Sequence, residues 1–195
     1  MEWLAGFVSF SLAMGLTPGP NNMLLMTTAA DVGFARAVPA IVGVVLGFAL
    51  MAAILALGPG LALESYPALH HALKIVGTLY LLWLAWQVAT AAAAGGTASA
   101  RPFTFWRAVL FQWFNPKGWA AILGALTAYT VPGKNTVHQG LLMALLYLPL
   151  GTISATSWAA GGALIGTRLG AGPGLRWFNR IMAALLVASL LPVWL

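Results

Sequence analysis

Two short stretches hold the residues best suited to chemistry: Thr17-Pro18-Gly19-Pro20-Asn21-Asn22 and Gln112-Trp113-Phe114-Asn115-Pro116-Lys117-Gly118. Each sets side-chain amides beside proline in an otherwise apolar run. Proline inside a helix removes an N–H donor and crowds the carbonyl four residues back, at about 3 kcal/mol or more. The freed backbone groups, four amide side chains and one ammonium would together hold a small polar ligand. That is recognition chemistry, with no bond made or broken. Thr17, Pro18, Gly19, Pro20, Asn21, Asn22, Gln112, Asn115, Pro116 and Lys117 are the candidate binding residues.

Other chemistries lack their parts. The chain has no cysteine and three acidic residues, Asp31 being the only aspartate, which is too few for metal-assisted catalysis. Gly133-Lys134-Asn135 lacks the earlier glycine and the hydroxyl of a phosphate-binding loop. No Gly-x-Ser-Gly element is paired with an intramembrane histidine. His70 and His71, read as an external turn beside Glu64, point to different helix faces if helical, so no metal site is expected there. No cofactor is expected, and an enzyme is not the favoured reading. No basic run is interleaved with aromatics, so nucleic acid is not an expected partner. An intramembrane enzyme and a non-transporting membrane scaffold remain as alternatives. Vectorial movement of a solute by the purified protein in liposomes separates both from a transporter.

The elements that carry these residues must lie in lipid. Of 195 residues, 61% are hydrophobic and 6% charged, with a mean hydropathy of +0.91. A soluble domain is about one-quarter charged. Crossing a bilayer takes about 20 apolar residues as helix, and charge-free windows fall at residues 3–30, 37–63, 75–100, 139–167 and 181–195, with 108–133 interrupted only by Lys117. The fold class is therefore all-α integral membrane, with about six transmembrane helices. The last window is short, so its helix must begin nearer Trp177. The first window has no basic leader before it and reads as a retained span rather than a cleaved signal. Arg36, Arg101, Arg107, Arg168, Arg176 and Arg180 fall on one side of this topology, against Lys74 and Lys134 on the other, which places the arginine side in the cytoplasm. Trp3, Trp106, Trp177 and Trp194 fall at span ends, where an indole suits the headgroup region.

Pro20 and Pro116 are 96 residues apart, close to half the chain. Each opens a set of three spans. Because three is odd, the second set lies upside down relative to the first. The chain is thus expected to be one transmembrane domain, an inverted 3+3 repeat with halves at about 1–94 and 101–195 and a linker at 95–100. Its first and fourth helices are broken at proline. Matched polar breaks are the best sequence pointer to a transporter's midplane site. Lys117, an intramembrane charge ten residues beyond Arg107, strengthens it. Gly43 with Gly47, and Gly161-Gly162 with Gly166, have the spacing for close helix packing; the first pair also offers a homodimer face. Thr152, Ser154, Thr156 and Ser157 read as hydroxyls bonded to their own helix unless one face meets the pocket.

In order along the chain, the Pro-Gly-Pro element, Asn115-Pro116-Lys117, the run Lys74-Ile75-Val76-Gly77-Thr78-Leu79-Tyr80 and Phe178-Asn179-Arg180-Ile181 resemble the lysine-exporter (LysE/RhtB) family of bacterial amino-acid efflux transporters. Asn21-Asn22 and Phe105-Trp106 before Leu110-Phe111-Gln112-Trp113 resemble its branch that exports cysteine and O-acetylserine. The resemblance implies an inner-membrane exporter of small or neutral amino acids and their relatives, driven by proton entry and built on alternating access. Asp31 and Glu64 are the only carboxylates near the spans, and neither is identified as the proton carrier. Ala37 stands where the family often has a glycine, which bears on close packing at that cytoplasmic turn.

Overall fold

The computed structural model describes residues 2–58, 67–91, 103–130, 135–170 and 172–191. Among them all regular structure is helical: α1 (Glu2–Leu16), α2 (Pro20–Val32), α3 (Phe34–Ala56), α4 (Pro67–Ala91), α5 (Phe105–Phe111), α6 (Pro116–Tyr129), α7 (Thr136–Leu169) and α8 (Pro173–Ala188), with a single 3₁₀ turn at Gln112–Phe114 between α5 and α6. The linker at 95–100, Glu64, Arg101, Lys134 and Trp194 lie outside the described residues.

Local chemistry sets the boundaries. α2, α6 and α8 begin at proline, whose fixed φ and missing N–H suit the first helical position. α5 and α7 begin with side-chain caps, Thr104 Oγ1 accepting from Arg107 N (3.4 Å) and Asn135 Oδ1 from His138 N (3.0 Å). Gly33 alone joins α2 to α3 at φ 84°, where a side chain would be strained. Ala37, one turn on, is fully buried, so the packing at this corner accommodates its methyl. α4 begins at Pro67, which makes His70 and His71 helical rather than part of a turn.

Contacts along the 34-residue α7 fix how the pieces run. Phe7 packs edge-on against Tyr147 at 5.1 Å, Gly15 meets Ser154, Met26 meets Gly162 and Ala30 meets Gly166. Both series rise together, so α1 and α2 follow one another along α7 in the same direction. α3 runs opposite, with Ala56 at Gly140 and Val45 at Gly151. α5 and α6 follow α3, since Gly43 meets Phe105, Gly47 meets Val109 and Gly118 meets Phe48. α4 opposes them, with Gly77 at Phe114, Tyr80 at Phe111 and Trp83 beside Arg107. α8 opens where α2 ends, Asn179 Nδ2 donating to Asp31 Oδ1 at 3.1 Å. Gly43 and Gly47 are therefore occupied by α5 of the same chain, and the face offered for a dimer is spent on internal packing.

Two apolar cores form. One holds Leu25, Ile41, Leu81, Phe111, Ala159 and Leu186; the other holds Phe7, Met51, Ile122, Ala125, Met143 and Tyr147. The outside is apolar as well: Val38, Val42, Leu46 and Leu50 along α3, Leu79 and Trp86 on α4, Leu145, Ile153 and Leu164 on α7 are all exposed. Soluble monomers rarely show contiguous apolar patches beyond a few hundred Å², so this surface calls for lipid. Among the described residues, α3 and α7 are each long and apolar enough to cross a bilayer unaided. The α1–α2 and α5–α6 runs are each divided by an interruption.

Candidate functional site

The first interruption follows from Pro18 and Pro20, which have no N–H to give. Thr17 N closes the last bond of α1, onto Ala13 O at 3.0 Å; Gly19 is extended, and helix resumes with Met23 N on Gly19 O. The carbonyls of Gly15, Thr17 and Pro18 are thereby left without helical donors, which lipid cannot replace. Distant side chains supply them. Asn22 Nδ2 donates to Gly15 O (2.7 Å) and Thr17 O (2.9 Å). Ser154 Oγ and Trp158 Nε1 also reach Gly15 O, at 2.6 and 3.3 Å. Lys117 Nζ donates to Thr17 O (2.9 Å) and Pro18 O (3.2 Å).

At the second interruption the chain tightens to the 3₁₀ turn, extends at Asn115 (φ −94°, ψ 100°) and restarts at Pro116. Because α1–α2 and α5–α6 run antiparallel, the two interruptions lie side by side. A reciprocal amide pair joins them: Asn21 Nδ2 donates to Gln112 Oε1 (2.9 Å) and Gln112 Nε2 to Asn21 Oδ1 (3.2 Å). Gln112 is fully buried and also donates to Ala108 O at 2.9 Å. A double-mutant cycle is expected to register this. Asn21→Ala and Gln112→Ala each cost about 1 kcal/mol of stability, and the double variant loses less than the sum, read from unfolding midpoints in detergent.

Between the two apolar cores lies a cavity of about 100 Å³. Gly19, Pro20, Asn21, Asn22, Asn115 and Lys117 line it. Thr17 and Pro18 stand outside and contribute carbonyls, while the Thr17 hydroxyl turns back to Ala13 O at 2.6 Å. Gln112 and Pro116 lie behind the wall. Sequence reasoning missed Ser11 and Tyr147, which line the cavity, and the apolar wall of Phe10, Met14, Val45, Phe48 and Leu150. Nothing in their local sequence separates them from core residues. Of the hydroxyl patch on α7, Ser154 alone faces the cavity; Thr152, Thr156 and Ser157 bond their own helix.

Lys117 is the cation lining this space. Among the described residues it has no ion pair; its two carbonyl partners sit at the C-terminal end of α1, where the helix dipole favours positive charge. A Cβ on Gly19 would stand 2.7 Å from Lys117 Cδ, so the glycine makes room for the lysine. Two helix N-termini, those of α2 and α6, reach the same cavity, and neither N-cap residue, Gly19 or Asn115, donates a side-chain acceptor to it. Uncapped N–H groups beside an ammonium have the polarity that suits an anionic group. Asn115 Oδ1 is buried there without a hydrogen-bond partner, while the buried Ser11 and Tyr147 hydroxyls face each other. Among the described residues no cluster of three or more His, Asp or Glu is placed to hold a metal.

Comparison with known proteins matches residues 12–190 to the profile described as LysE type translocator. The cysteine/O-acetylserine efflux protein of Salmonella typhimurium strain LT2 is 35% identical over 162 residues, 83% of each chain. The protein of that name from Escherichia coli strain K12 is 32% identical over 185 residues, 94% of this chain and 93% of the relative. No solved structure matches. With the profile spanning nearly the whole sequence, both proline interruptions included, the chain belongs to the LysE type translocator family.

Proposed function

We propose that the protein is a secondary-active exporter of small neutral amino acids or close derivatives, of the cysteine or O-acetylserine kind named for its relatives. Membership in a translocator family makes it a transporter and not an enzyme. The observation that carries the substrate class is the convergence of Lys117 with the two uncapped helix starts on one small cavity. A substrate α-carboxylate docks there. The Thr17 and Pro18 carbonyls hold the Lys117 ammonium beside the cavity for that pairing. A cavity of about 100 Å³ is several times the roughly 10–15 Å³ that a single water needs, so it admits a small ligand.

In this reading α1–α2, α3 and α4 form one half, about 1–94, and α5–α6, α7 and α8 the inverted other half, about 101–195, with 95–100 as linker. The alternating directions of the helices and the antiparallel meeting of the two interruptions support it. The halves rock about the cavity to alternate its access, driven by proton entry. The arginine-bearing end faces the cytoplasm of a bacterial inner membrane. Counterflow in proteoliposomes against an amino-acid panel at two pH values tests the whole scheme. Saturable exchange of small neutral amino acids is expected, and exchange of none of them overturns it. Asn115→Ala is expected to lower that exchange at least tenfold, because a buried polar contact to substrate is lost. Wild-type exchange by this variant removes Asn115 from the site.

A further inference from the structure

Away from the cavity, the packing of α8 on α2 sets a half-buried carboxylate beside an amide that is only half used. Asn179 is fully buried, and its Nδ2 donates to Asp31 Oδ1 at 3.1 Å. Its own Oδ1 is buried without a hydrogen-bond partner. An unmet buried acceptor costs stability, because it has given up water for nothing. The Asn21–Gln112 pair shows the alternative, with both amides engaged reciprocally. Asp31 lies nine residues beyond Asn22, about 13 Å along α2, and neither it nor Asn179 lines the cavity.

The carboxylate is not met as an anion usually is. Four arginines stand at this end of the helices: Arg36 on α3, Arg168 on α7, and Arg176 and Arg180 on α8. All four are exposed, and among the described residues the one side-chain partner of Asp31 is Asn179. Arg180 stacks instead on Trp177 at 5.5 Å. The half of α4 that reaches this end, residues 80–91, carries no charge. Asp31 sits in the last turn of α2, the negative end of the helix dipole, which disfavours a further negative charge. It also ends the first charge-free window and so stands at the membrane boundary. A carboxylate with one neutral donor and no cation holds a proton more readily than a free aspartate does.

A carboxylic acid and a primary amide are complementary. The acid O–H donates to the amide oxygen while the amide N–H donates to the acid carbonyl. A proton on Asp31 Oδ2 therefore supplies the donor that Asn179 Oδ1 lacks and leaves the existing bond in place. We propose that Asp31 and Asn179 form a proton-binding latch between α2 and α8. One hydrogen bond joins the helices when Asp31 is ionised, and two join them when a proton from the aqueous phase neutralises it. In the two-half reading above α2 and α8 belong to different halves, so the proton tightens the arginine-bearing end against opening. For this effect on transport, and for nothing else, the proposal rests on that reading.

Asp31 is the only aspartate in the chain, so isotope-labelled aspartate reports this carboxyl alone in infrared or NMR spectra of the wild-type protein. It is expected to take up its proton well above the range of a free aspartate, and titration within that range overturns the latch. Thermal unfolding in detergent tests the second bond. The folded state then binds the extra proton, so wild-type stability falls as pH rises through the titration, by about 2–4 °C in midpoint. Asp31→Asn keeps both bonds at every pH, so its midpoint is expected to match acidified wild type and to lose that fall. Asp31→Leu, similar in volume but with neither bond, is expected to unfold at least as far below Asp31→Asn. Equal midpoints for the two variants, or an undiminished fall in Asp31→Asn, overturn the latch. In counterflow, wild-type exchange is expected to slow on acidification and that of Asp31→Asn to stay slow throughout. A wild-type pH response that Asp31→Asn leaves unchanged overturns the latch. Absence of exchange in every form, wild type included, defeats the transport reading, while the titration and the midpoints still decide the latch.

Discussion

Lys117→Met is expected to lower amino-acid counterflow by at least 100-fold in proteoliposomes, while the inserted protein remains monodisperse in detergent. The physical basis is that methionine keeps the length and apolar stem of lysine and deletes only the charge. Charge-assisted hydrogen bonds are about twice as strong as neutral ones, and beside largely apolar walls the attraction between an ammonium and a carboxylate is stronger than in bulk water. The side chain has a second duty, since its Nζ holds the Thr17 and Pro18 carbonyls at 2.9 and 3.2 Å. Their loss costs stability, and the unfolding midpoint reports that cost independently of exchange. Lys117→Arg is expected to fail as well, because the planar guanidinium is broader than the space beside Gly19, where a single Cβ would already crowd the lysine. Near-wild-type exchange by Lys117→Met would show that the carboxylate docks elsewhere and that the lysine only caps α1.

The largest effect on folding is expected at Gly162. Its absent Cβ is the space occupied by the Met26 backbone carbonyl, and Gly166 one turn on meets the Ala30 carbonyl in the same way. A backbone carbonyl within a helix cannot withdraw as a flexible side chain does, so even Gly162→Ala must push α2 off α7. Overpacking ordinarily costs about 1–3 kcal/mol, and with main chain as the obstacle at least about 3 kcal/mol is expected. The expected readout is a large drop in unfolding midpoint and in monodisperse yield. Gly124→Ala serves as the contrast: nothing lies within 4 Å of the added methyl, and alanine is the better helix former, so stability holds or rises slightly. Equal behaviour of the two variants would mean that the α2–α7 contact is not the tight one.

Several features were legible before any coordinates. Proline's missing donor is a covalent fact, so the interruptions at Thr17–Pro20 and Asn115–Pro116 could be located from residue types alone. The glycines at 43, 47, 162 and 166 were readable as close-packing positions from their spacing. Their partners were not: Gly43 and Gly47 meet α5 of the same chain rather than a second copy. The helical start of α4 was obscured because His70, His71 and Lys74 look like a polar turn to hydropathy, while Pro67 opens a helix there. Lys117 was legible as an intramembrane charge, but its Thr17 and Pro18 carbonyl partners were not, because the reach of a long side chain does not give its direction. Ser11 and Tyr147 carried no local signal, since a serine and a tyrosine on apolar helices are ordinary.

The sequence by itself determined the lipid-facing composition of this protein, its helical class and the candidate interruptions, because composition and proline act locally. Proline alone did not decide them, since Pro39 and Pro149 lie inside continuous helices. Only the tertiary structure decided where the freed carbonyls find donors and which hydroxyls face the cavity. Each residue turns a helix by about 100°, so Ser154 and Thr152 point to different surroundings although two positions apart. Which of them faces the cavity depends on how α7 is rotated against α1 and α3. That rotation is set by contacts such as Gly162 on the Met26 carbonyl and Gly140 on Ala56, between residues far apart in the chain.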